Sequence, residues 1–125
     1  MYREKTIIFK VEGSNVKGMG HVFRSFFLIQ NLKKNYKIII FTEKSSESEK
    51  YFILKGLKVY SYTILNQTKI FKKIVSRYKP KIFINDYLFI RKEIQNILIN
   101  NKIKSYFLDT KNVLQNDNFY SIDSF

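Results

Sequence analysis

The strongest constraint on the fold is an alternation: five short apolar runs, rich in β-branched and aromatic residues, are separated by stretches whose apolar residues recur at helical spacing. Lys5 to Val11 reads as a first strand, followed by the turn-prone E-G-S-N-V-K-G. From Gly20 to about Lys34, Val22, Phe26 and Ile29 form one stripe, widened by Phe23, Phe27 and Leu28, which predicts a helix packed hard against a sheet. Y-K-I-I-I-F-T, ending at Thr42, is apolar without alternation, as suits a parallel strand covered on both faces. Ser45 or Ser46 is placed to cap a second helix, with acids in its first turn and Gly56 stopping it; L-K-V-Y-S-Y is then a third strand. Asn66 to Tyr78 reads as a third helix closed by Pro80, and K-I-F-I-N-D-Y as a fourth strand ending near Asp86. I-R-K-E-I-Q-N-I-L-I-N is a fourth helix and K-S-Y-F-L-D-T a fifth strand ending at Asp109.

This order predicts an α/β fold of the doubly wound, Rossmann-like class: a mostly parallel sheet of about five strands, right-handed crossovers and helices on both faces. Ligands of that class sit beyond the carboxyl ends of the strands. Those ends bear Glu12, Gly13 and Ser14, then Glu43, then Asn85 to Tyr87, and Asp109. Residues 1–110 are expected to form the domain. Residues 111–125, polar and asparagine-rich with a weak β-like N-F-Y-S-I, read as a tail or the start of a linker to an absent second domain.

With 125 residues, 45% of them hydrophobic, the chain has room for one domain with a real core. Cysteine is absent and His21 is the one histidine, which removes disulfides, thiolate nucleophiles and multi-histidine metal sites. No apolar run approaches the roughly 20 residues of a membrane span, and the start shows no secretory signal, so a cytoplasmic protein with no membrane partner is expected. The formal net charge of +13 invites a polyanionic partner. Yet the lysines are scattered along the chain and not gathered into a block interleaved with aromatics, which favours a solvated surface over nucleic-acid binding.

The motif with chemistry in it is G-M-G-H-V-F-R, Gly18 to Arg24. Glycines at 18 and 20 let the backbone turn sharply and approach a ligand, leaving first-turn N–H groups to make an anion site with the positive end of the helix dipole. It is neither G-x-G-x-x-G, since Phe23 fills the third small position, nor a phosphate loop, which needs Lys followed by Ser or Thr. His21 falls in the first turn, where the dipole disfavours imidazolium and leaves a neutral ring able to accept a proton. Arg24, three residues on, shares its helix face and can pair with a phosphate or with Glu12 or Asp86. Plainer roles stand beside these: His21 as a loop hydrogen-bonder, Arg24 as an ion-pair residue, Asp86 as a cap, Tyr87 as core. Asp86 could equally orient His21, as an acid orients a catalytic imidazole.

The blocks F-K-V-E-G-S-N-V-K-G-M-G-H-V-F-R, S-F-F-L-I-Q-N-L, Y-K-I-I-I-F-T, I-F-I-N-D-Y and Y-F-L-D-T resemble the nucleotide-sugar hydrolases of pseudaminic acid biosynthesis, the UDP-2,4-diacetamido-2,4,6-trideoxy-altropyranose hydrolases, and their relatives in spore-coat polysaccharide synthesis. The resemblance implies the amino-terminal half of a two-domain, B-type glycosyltransferase-like (GT-B) architecture. It implies cleavage of UDP from an activated amino-deoxy sugar by water attack at the anomeric carbon. His21 would then be the general base, Gly18, Gly20, Arg24, Glu12, Gly13, Ser14, Asp86 and Tyr87 substrate-binding residues, and no cofactor or metal would be required. A nucleotide-sugar substrate and a second domain or split partner chain are the expected partners. The chain departs from the family in having Glu12-Gly13-Ser14 where Asp-Ala-Ser is usual, and Thr110 where a second acid commonly follows Asp109. Two other readings stay open: the acceptor-binding half of a glycosyltransferase, and a basic binding module without catalysis.

Overall fold

A computed structural model describes residues 5–14 and 18–123; Asn15, Val16 and Lys17 of the loop after the first strand lie outside the described residues. Six strands and four helices follow in the order β1 (Lys5–Val11), α1 (Gly20–Leu32), β2 (Tyr36–Glu43), α2 (Glu47–Leu54), β3 (Lys58–Tyr62), α3 (Gln67–Tyr78), β4 (Ile82–Asp86), α4 (Lys92–Asn100), β5 (Lys104–Leu108) and β6 (Phe119–Ile122). The strands form one sheet in the order β3-β2-β1-β4-β5-β6, every pair parallel. The fold is therefore the α/β, Rossmann-like one, with one strand more than the sequence announces.

Side-chain alternation along the strands divides the interior into two layers. Ile8, Ile39, Phe41, Phe83 and Phe107 face α3 and α4, packing on Phe71, Ile74, Ile94 and Leu98. Ile7, Phe9, Val11, Ile38, Ile40 and Ile84 face α1 and α2, packing on Val22, Ile29 and Phe52. Register carries this alternation across the sheet: Phe9 stands beside Ile40 and Ile84, and Ile8 beside Ile39 and Phe83. One step further, Val11 is level with Asp86 and Lys10 with Asn85, so Asp86 faces α1 while Asn85 faces α3 and α4.

Helix boundaries follow local chemistry. The Ser46 hydroxyl accepts from the Glu49 N–H at the start of α2, Gly56 takes φ +77 after its end, and Lys79 closes α3 in the left-handed region just ahead of Pro80. β6 has a different origin. Its N-F-Y-S-I stretch is too weak a signal to stand alone, but it has an edge to pair with: Ser105 N–H donates to Asn118 O and Asp109 N–H to Ile122 O. The connection before it is fastened to α4, since the Gln95 amide donates to Asn112 O and accepts from Leu114 N–H. Tyr106 and Tyr120 stack at 5.2 Å between ring centroids across the last pair.

Candidate active site

The carboxyl ends of β1, β4 and β5 and the amino end of α1 meet at one place on the sheet rim. Gly18, with φ +90, reverses the chain, and its N–H and O bond back to Ser14 O and N at 2.7 and 3.2 Å. α1 starts two residues later; Met19 gives its first turn no side-chain cap. Gly13 supplies a close approach that the sequence reading does not anticipate, since a Cβ there would run into Val22 Cγ2 and crowd Gly18 O. Gly20, by contrast, has open space where a side chain would stand.

Asp86 is completely buried at the end of β4 and collects four donors. Its Oδ1 accepts from His21 Nδ1 at 2.7 Å and from Arg24 Nη2; its Oδ2 accepts from Arg24 Nε at 3.1 Å and Ser25 Oγ at 2.8 Å. A carboxylate has about four lone-pair directions, so the group is saturated, as a buried acceptor must be. The same contact fixes the imidazole. Because a carboxylate only accepts, Nδ1 carries a proton, and Nε2 lies on the side of the ring away from Asp86. A third of the His21 side chain is exposed.

Arg24 is a tie between strands. Beyond its fork on Asp86, Nη1 donates to Asp109 Oδ2 at 3.1 Å, joining the ends of β4 and β5 to α1. Hydrogen bonding to Asp86, opposed by burial and reinforced by the charges of Asp86 and Asp109, raises its pKa far above the already high arginine value, so the guanidinium is always charged. Arg24 is thus one cation shared between two carboxylates, Asp86 and Asp109.

The remaining expected residues divide by sheet face. Tyr87 stands edge-on to His21, with ring centroids 6.1 Å apart, and its ring also lies 5.9 Å from Lys10 Nζ. Glu12 does not join Arg24: it lies on the α3 and α4 side, 3.4 Å from the Lys10 ammonium, and its negative charge, after burial, helps to push the Tyr62 hydroxyl pKa up. Gly13 and Ser14 line a hollow of about 190 Å³ with Glu43 and Ser45 to Glu47. Gly18 and Gly20 hold the turn into α1. Thr110 acts as a latch: its hydroxyl donates to Tyr87 O at 2.7 Å and accepts from the Asn85 amide, which also reaches Tyr87 O.

Sequence reasoning passed over Ser25 and Lys10 and named Asp109 only as a polar strand end. Ser25 carried a usable signal, a hydroxyl on the buried stripe of a helix four residues after a histidine. So did Lys10, a cation interrupting an apolar strand; it is almost fully buried, with Nζ 5.4 Å from the Tyr62 ring centroid. Among the described residues, no group of three or more His, Cys, Asp or Glu could hold a metal ion, and no helix is long and apolar enough to cross a membrane.

No protein-family model matches the chain, and no curated protein matches it in sequence. Among solved structures it is similar to MurG of Acinetobacter baumannii, with a TM-score of 0.66 at 10% identity over 91% of this chain and 37% of that one. It is also similar to the Bordetella bronchiseptica enzyme WbmG, solved in complex with NAD, with a TM-score of 0.54 at 11% identity over 85% of this chain and 37% of that one. The D-arabinose dehydrogenase of Sulfolobus solfataricus gives a TM-score of 0.52 at 12% identity, over 98% of this chain and 38% of the other. The chain thus spans less than two fifths of each of these proteins, and what it shares with them is the α/β, Rossmann-like fold.

Proposed function

We propose that this chain is the sugar-facing, base-bearing half of an enzyme acting on nucleotide-sugars, and that it activates water for attack at the anomeric carbon with release of UDP. The observation that carries this reading is the His21–Asp86 pair at the strand rim. Asp86 holds Nδ1–H, so Nε2 is the proton acceptor, and the imidazolium formed as water attacks is stabilised by the same carboxylate. Arg24 and Ser25 keep Asp86 from turning, Tyr87 walls one side of the ring, and the open backbone at Gly18 and Gly20 leaves room for substrate. The leaving UDP would be held by a second domain, and the amino end of α1, which no side chain caps, faces the same rim. The same base could instead deprotonate an acceptor hydroxyl, as a glycosyltransferase half would; a glycoside in place of free sugar among the products would identify that chemistry.

The chain's single histidine makes the test direct. A panel of UDP-sugars is titrated while the His21 ring signals are followed by NMR, and free sugar and UDP are assayed. Saturable shifts of the ring signals are expected, with little or no turnover from this chain alone because half of the binding surface is absent, and whatever turnover there is should be abolished by His21→Ala. Ring signals indifferent to every UDP-sugar, or turnover that survives His21→Ala, would sink the proposal.

A further inference from the structure

Among the described residues, most of the net positive charge lies at the pole opposite His21. All six strands are parallel, so their starts lie on one edge of the sheet, and right-handed crossovers bring the helix ends to the same edge. Lys5, Lys37, Lys58, Lys81 and Lys104 stand at the starts of β1 to β5, all exposed. Lys33, Lys34, Lys55, Arg77, Lys79 and Lys102, also exposed, stand at or just past the ends of the four helices. The described acids are at the other edge. Glu12, Glu43, Asp86, Asp109 and Asp123 end or follow strands, and Glu47, Glu49 and Glu93 lie in first helical turns. Asp117, just ahead of β6, is the one described acid on the lysine edge.

Cations at helix carboxyl ends answer the helix dipole and need no partner to explain them. The lysines that open strands lie away from the helix dipoles. Lys37, Lys58 and Lys104 stand 4.9, 5.5 and 6.0 Å from the Tyr78, Tyr60 and Tyr120 ring centroids, contacts worth little at exposed sites. Together the two sets repel one another, so a scattered surface would be the cheaper arrangement. Lysine outnumbers arginine there ten to one, which gives diffuse charge without the planar fork that reads phosphates and bases bidentately. Two large apolar side chains share the pole: Ile53 and Leu54, at the end of α2 between Lys50 and Lys58, are 56% and 85% exposed. Cations around exposed apolar side chains are the combination that an anionic lipid interface takes up, headgroups meeting lysines and aliphatic groups entering the acyl boundary.

From this we infer that the lysine edge docks the protein onto an anionic phospholipid surface, with the His21 rim facing away from it. No membrane-spanning helix is involved, so the absence of a long apolar run does not bear on it. The occupant is the bilayer surface, and duplex DNA and RNA are the competitors to be tested.

The test is co-sedimentation of the intact chain with phosphatidylcholine vesicles, with and without roughly one-third phosphatidylserine, across a salt series. Binding is expected only with phosphatidylserine and is lost as salt rises. The combined Lys37→Gln, Lys58→Gln, Lys81→Gln and Lys104→Gln variant should bind more than tenfold more weakly, and Leu54→Ser severalfold more weakly. Circular dichroism checks that both variants are folded. Equal binding to neutral vesicles, or no effect of the lysine substitutions, overturns the inference. So does stronger retention by duplex DNA or RNA at the same salt and phosphate concentration. His21→Ala should leave vesicle binding unchanged, so this proposal and the enzymatic one fail separately.

Discussion

His21 Nδ1 and Asp86 Oδ1 are 65 positions apart in sequence and 2.7 Å apart in space, joined where α1 begins and β4 ends. The contact sets the tautomer of the ring. A free imidazole favours the proton on Nε2; here the carboxylate holds it on Nδ1. Asp86→Asn should move the proton of the neutral ring from Nδ1 to Nε2, read from the two ring ¹⁵N shifts. Any turnover should fall about a thousandfold or more, in line with the wrong-tautomer cost in acid–histidine pairs. A ring that stays Nδ1-protonated in the variant would show that Asp86 does not orient it.

Asp86 also joins secondary-structure elements. The same Asp86→Asn exchange leaves the Arg24 fork facing an amide, and it should cost about 3 kcal/mol, the low end for a broken buried pair because Arg24 keeps a third of its side chain in water. Ser25→Ala removes only one neutral donor to a buried carboxylate and should cost about 1.5–2 kcal/mol. Urea denaturation with equal slopes gives both numbers, and a Ser25→Ala variant as stable as the parent would contradict the saturated-acceptor account.

The two glycines flanking the turn should respond in opposite directions. Gly13→Ala forces a methyl against Val22 and should destabilise by about 1–3 kcal/mol, as overpacking does. Gly20→Ala meets nothing within 4 Å and replaces a flexible residue in the first turn of a helix, so it should stabilise by about 0.4–1 kcal/mol. Thermal melts of the two variants side by side decide the point; the same sign for both would mean the turn is packed differently.

Tyr62 supplies an alkaline limit. Burial, then the negative charge of Glu12, pushes its hydroxyl pKa well above the ordinary tyrosine value, so the native state holds the proton where the unfolded chain releases it. Stability from this residue is complete below about pH 10, the unfolded tyrosine value, and falls as pH rises beyond it. Tyr62→Phe should flatten that alkaline loss in urea denaturation repeated from neutral pH to about pH 11. An alkaline slope as steep as the parent's would assign the effect elsewhere.

What the sequence alone determined was whatever local periodicity can encode. Continuous apolar runs gave β1 to β5, helical stripes gave α1 to α4, and Gly56 and the Ser45-Ser46 pair marked helix ends, Ser46 being the cap in the structure, because strand and helix each fix the direction of neighbouring side chains. Parallel topology followed from the alternation, and with it a rim where His21 and Asp86 stand at neighbouring ends. Tertiary structure decided what depends on register between distant segments. It put Asp86 on the α1 face and Glu12 on the other, so Arg24 reaches Asp86 and Asp109 and not Glu12. It made a strand of Phe119–Ile122, whose partner edge supplies the hydrogen bonds its own residues do not announce. It also gathered lysines spread along the whole sequence onto one edge, because in a parallel sheet all strands start, and all crossover helices end, on the same side.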